Sequence, residues 1–313
     1  MIFAPEFPAV FRTMLPPTSA GGSRLPADVA DSSGVPAGAA LHVGLTMIAI
    51  VAVASGLHLA GPAAMIGSCL VILLLGLPHG ALDMVTLIDL APPARWRAIA
   101  LYLGAAGVMA GLWWALPSAA LLLFLATAIV HFSEDWAGPG PIAGGGALGL
   151  LAAPALFPHA EVGALFAILA GGSSRFPVAD ALLMLSPVAV AAGLTACALS
   201  WHGAMRLMAV SSLAALAGML FLPPLLGFAL SFGLFHSPRH FSGALRALDR
   251  SRGWRVPVLG ASVAALAMVV FIAWARGNQG LPSGVIRGTF IILSVLTVPH
   301  MALPMIVRRI KRR

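Results

Sequence analysis

Apolar residues in this chain come in long unbroken runs rather than in amphipathic stripes. Runs of about 17 to 25 apolar residues are the lengths that cross a bilayer as helices. The pattern predicts helices over 40–60, 63–88, 97–116, 118–136, 142–158, 159–171, 178–200, 205–222, 224–242, 256–275 and 285–307. Proline and glycine punctuate them, which membrane helices tolerate better than soluble ones. The expected fold is an all-α, polytopic helical membrane bundle of about 8–10 transmembrane helices.

Residues 1–39 break the pattern. They are rich in Pro, Gly, Ala and Ser and carry scattered charges at Glu6, Arg12, Arg24, Asp28 and Asp31. No basic segment leads into an apolar core, so they read as a disordered tail rather than a cleaved signal. Residues 40–307 then form the transmembrane catalytic domain, and 308–313 a basic tail.

Charge and composition sharpen this. Of 313 residues 60% are hydrophobic and 9% charged, far too few polar side chains to cover a soluble domain of this size. Arg246, Arg250, Arg252 and Arg255 crowd one loop, and the chain ends in "RRIKRR". Both segments, with Arg95 and Arg97, read as cytoplasmic. The net charge of +8 is thereby an orientation signal, with no nucleic-acid partner implied. This parity allows "PALFPHAEVG" only one crossing plus a partial segment. Cys69 and Cys197 both lie in apolar runs and imply no disulfide framework.

The chemistry lies in the histidines. His79, His131, His236, His240 and His300 fall at similar depth on four spans, where an unpaired imidazole is costly. His42 and His58 near the ends of the first span, and His159 and His202 at loops, suit interfacial or capping roles. A four-residue offset recurs: Asp83 follows His79, Asp135 follows His131, and His240 follows His236. Residues four apart share a helix face, and a metal-binding imidazole needs its second nitrogen held by an acceptor. These pairs read as metal ligands with supporting acceptors. Pro78 and Pro238 would kink the backbone beside the rings. "LPHGALDM" (77–84) resembles "VPHMALPM" (298–305), but Pro304 replaces the aspartate. His300 is therefore either a fifth ring or a packing residue. Imidazole donors suit Zn, Cu, Fe or Ni. An iron site using O₂ on an apolar substrate is the reading most coherent with a membrane interior.

"GLPHGALD", "HFSEDW", "FHSPRH" and "VPHMALP", in this order over about residues 65–307, resemble the Brp/Blh family of bacterial and archaeal membrane β-carotene 15,15′-dioxygenases. The resemblance implies an Fe²⁺ enzyme of the bacterial cytoplasmic (inner) membrane. It would split β-carotene with O₂ into two retinal molecules, within membrane lipid, and supply a microbial rhodopsin. It also implies His79, His131, His236 and His240 as iron ligands and gives Asp83 a motif position. Phe132, Trp136, Phe232, Phe235, Phe241 and Met301 flank these and are the expected substrate wall. Competing readings are a haem-binding electron carrier, a di-iron desaturase and a proton-coupled transporter. The chain's one HxxxH and lack of HH argue against the desaturase.

Overall fold

The computed structural model describes residues 37–157, 159–171, 177–247, 253, 255–275 and 280–311. Among them there are helices and no strands: α1 (Ala37–Ala54), α2 (Pro62–Ala81), α3 (Asp83–Ile88), α4 (Pro92–Ala115), α5 (Pro117–Phe132), α6 (Gly140–Ala152), α7 (His159–Ala170), α8 (Pro177–Leu199), α9 (Arg206–Phe221), α10 (Pro224–Leu230), α11 (Ser237–Ala247), α12 (Arg255–Ala275) and α13 (Leu281–Lys311). Several prolines start helices rather than break them. Pro62, Pro92, Pro117 and Pro224 each open one, where the missing N–H would have no intrahelical partner.

Among the described residues six helical segments are long and apolar enough to span a bilayer: Pro62–Ile88, Pro92–Ala115, Pro117–Asp135, Val178–Leu199, Arg255–Ala273 and Leu281–Ile310. The protein is an all-α, multi-pass membrane bundle. α1 and α9 are apolar but shorter. The region predicted to make one crossing plus a partial one is a bent pair, Gly140–Ala155 against Ala160–Ala170, at 103°. The 1–39 tail lies outside the described residues except for its last three, which already begin α1. α13 carries the helix through Arg308 and Arg309 into the basic C-terminus.

Apolar side chains such as Leu74, Val108, Trp114 and Met184 point outward, as a lipid-facing surface requires. Inside, small residues let helices close up: a methyl on Gly149 would strike the Ala189 carbonyl, so α6 lies directly on α8. Gly76 does the same for the site. A side chain there would run into the Phe232 ring, so only glycine lets that ring pack against α2, one turn from His79.

Three departures from regular α-helix decide where the polar residues go. The 63–88 run breaks at Leu82, so Asp83 starts a new helix. The end of α5 tightens into a 3₁₀ turn, Ser133–Asp135. Between α10 and α11 the chain forms a π-helix, Ser231–His236, ending on a predicted ligand; such segments frequently mark functional sites.

Candidate metal centre

Five imidazoles from five helical elements come together. His79 comes from the last turn of α2, His131 from the last turn of α5, His236 from the π-helix, His240 from α11 and His300 from α13. His131 lies 4.6 Å from His236, 5.1 Å from His240 and 5.4 Å from His300 between ring centroids. His79 lies 5.5 Å from His236, 5.6 Å from His300 and 6.1 Å from His131. His79, His131 and His236 are buried; His240 and His300 are each about a quarter exposed, at 23% and 24%.

The hydrogen bonds sort the ring nitrogens. His236 Nδ1 donates to Asp135 Oδ2 at 2.5 Å, His300 Nδ1 donates to both oxygens of Asp83 at 2.9 Å, and His79 Nδ1 donates to the Gly76 carbonyl at 2.7 Å. Each bond fixes a tautomer and leaves Nε2 as a bare lone pair. His131 Nδ1 is buried without a hydrogen-bond partner, while its Nε2 faces His236 Nε2 at 3.0 Å. Two nitrogens bound side by side to one first-row ion at about 2.1 Å stand about 3.0–3.4 Å apart. One donor atom from each of His79, His131 and His236 can be chosen so that all three lie within 4.8 Å of one another, and likewise for Asp135, His236 and His240. The donor set fits a nitrogen-preferring cation.

The carboxylates support different rings from those their spacing suggested. Asp83 was expected behind His79 and Asp135 behind His131. Asp83 instead holds His300 and accepts from Tyr102 Oη at 3.0 Å, because the break at Leu82 takes it off the His79 stripe. Asp135 holds His236 because a 3₁₀ turn, at three residues per turn, swings the fourth residue out of line. Its other oxygen accepts from Arg239 Nη1 at 2.9 Å and lies 3.5 Å from His240 Nε2. Glu134 is more exposed, 3.9 Å from His240 Nδ1.

Aromatic side chains form the inner wall. Phe232 stacks on His236 with centroids 5.5 Å apart, and Phe132 meets the same ring edge-on at 4.7 Å. With Trp136, Phe228, Phe235, Leu150, Ala215 and Ser231 they line a narrow apolar cleft that reaches Asp135 and His236. Phe241 is not part of this wall; it packs with Ala81, Leu82, Val85 and Val258, since α11 turns that face away. Met301 is half-buried beside His300 in the chain and does not line the cleft.

Three participants escaped the sequence reading. Arg239 had a signal: an arginine inside an intramembrane His-x-x-x-His turn needs a carboxylate. Tyr102, the single tyrosine, had only its rarity. His42, expected at an interface, is fully buried and stacks on Phe235 at 5.4 Å, because α1 packs against the π-helix. His58 and His202 are exposed, and the His159 side chain lies outside the described ones.

Fold and site together define a multi-pass membrane protein with a buried polyhistidine centre beside an apolar cleft. Residues 70–307 match the family model described as beta-carotene 15,15′-dioxygenase. The chain belongs to that family. A curated relative, the beta-carotene 15,15′-dioxygenase of an uncultured marine bacterium 66A03, is 28% identical over 255 residues, covering 74% of this chain and 90% of the relative. No solved structure matches the chain.

Proposed function

We propose that this protein is a non-haem iron oxygenase that cleaves β-carotene at the central 15,15′ double bond with O₂, giving two retinal molecules. The observation that carries the proposal is the convergence of five imidazoles, three of which, His79, His236 and His300, have Nδ1 tied to an acceptor, so that Nε2 is the nitrogen left to serve as a donor atom. His79, His131, His236 and His240 would hold Fe²⁺, which, when bound, supplies the means to activate O₂.

The protein's own residues supply position and environment. Asp135 keeps His236 in the tautomer that presents Nε2, and Arg239 offsets the charge of that buried carboxylate. Phe132, Phe232 and Trp136 present an apolar wall for a hydrocarbon and keep water from the rings. No acid or base is required of the protein. One carotene and one O₂ become two retinals with every atom conserved and no proton gained or lost. A substrate about 30 Å long, near the thickness of the bilayer's hydrocarbon core, reaches such a site from lipid. The bacterial inner membrane and a retinal-binding microbial rhodopsin complete this reading.

The haem reading fits the geometry less well. His131 Nε2 and His236 Nε2 are 3.0 Å apart, and three further rings crowd them.

Expression in a bacterium that makes β-carotene, followed by chromatography, tests the proposal. The carotene should fall and retinal appear as the sole aldehyde. Longer apocarotenals would place the cut off-centre, and unchanged carotene in cells that make folded protein would overturn the activity.

A further inference from the structure

Asp83 is buried within the span Pro62–Ile88, and its hydrogen-bonding partners there are a phenol and an imidazole. Asp135, the other buried carboxylate at this centre, faces an arginine. A carboxylate deep in a membrane bundle needs positive charge close by. The His300 ring leads from Asp83 toward the centre. Its Nδ1 is 2.9 Å from each carboxylate oxygen, and its centroid is 5.4 Å from His131 and 5.6 Å from His79.

Tyr102 closes the arrangement from behind. Its side chain is buried, and its hydroxyl donates to Asp83 Oδ2 at 3.0 Å. The three residues come from α4, α3 and α13, so no single helix sets the alignment. Nor is Asp83 occupied with His79, whose Nδ1 is taken by the Gly76 carbonyl and lies 3.2 Å from Ser237 Oγ.

We propose that Tyr102 and Asp83 are positioning residues that hold His300 as a fifth imidazole donor to the metal centre. The inference rests on the iron reading above and extends it: the relay presents Nε2 of His300 to the cation, as Asp135 presents Nε2 of His236. Asp83 thereby meets its counter-charge through the ring. A simple tie between α3 and α13 would use the same hydrogen bonds but would leave the metal indifferent to them.

The test uses the purified full chain, first stripped of metal and then titrated with Co²⁺, whose visible d–d bands report its ligands. Thermal unfolding of each metal-free variant identifies those that retain the fold. His300→Ala should weaken Co²⁺ binding by about 10–100-fold and shift the bands. Asp83→Asn should do so less, and Tyr102→Phe should cost about 2- to 10-fold, the range of one hydrogen bond. Asp83→Asn added to His300→Ala should cost nothing further, because its effect travels through that ring. His300→Gln, which keeps a polar group without the imidazole, guards against a misfolded alanine variant and should also shift the bands. Unchanged affinity and bands in folded His300→Ala or His300→Gln would overturn the relay while leaving the iron reading intact. Wild type that takes up no metal would defeat the iron reading itself.

Discussion

Replacing His236 with alanine should remove iron and activity together. No other ring is so central: it lies 4.2 Å from His240, 4.6 Å from His131 and 5.5 Å from His79 between centroids, and it belongs to both groups of candidate metal-holding residues. It is also buried, with Phe232 stacked on it and Phe132 packed edge-on against it. Loss of a group behind a ligand costs about 10–100-fold in metal affinity or activity, and loss of a donor should cost at least ~100-fold. Elemental analysis of the purified variant should find little iron, with retinal formation near background. His202→Ala, on an exposed loop residue, should match wild type in both. Full iron and full activity in His236→Ala would remove the centre from the account.

Asp135→Ala should be nearly as damaging, by a different route. One carboxylate serves His236, Arg239 and His240. Deleting it frees the His236 ring to turn and strands the guanidinium of Arg239. Removing one partner of a buried ion pair costs about 3–5 kcal/mol, and Arg239, with 32% of its side chain exposed, should bring this to the low end. The variant should therefore lose both iron and thermal stability. Asp135→Asn keeps the volume and an acceptor oxygen, so it should lose less of each. Equal melting temperatures and equal iron in wild type and Asp135→Ala would show that His236 needs no brace.

The helices could be read from the sequence because a membrane span announces itself by length and apolarity, which local composition fixes. The histidines at the centre could be read for a similar reason, since intramembrane imidazoles are rare and their depth follows from span boundaries. The pairings could not. The four-residue rule that joined Asp83 to His79 and Asp135 to His131 assumes unbroken α-helix, and the break at Leu82 and the 3₁₀ turn at Ser133–Asp135 rotate both carboxylates onto other helices. Those irregularities depend on tertiary packing, as does the π-helix that carries His236. His300 suffered most from the local view. Pro304 stands where an aspartate would have supported it, yet its acceptor lies 217 residues earlier in the chain. Phe241 shows the same limit from the other side: adjacent to His240 in sequence, it faces Val258 and away from the cleft.

The most direct measurement is the yield of retinal per β-carotene consumed by purified, iron-loaded protein in detergent, run with and without O₂. The ratio should approach two, with no other aldehyde, no turnover under nitrogen, and none after iron is chelated. Carotene consumed without retinal, or retinal formed equally by the iron-free protein, would contradict the proposed activity.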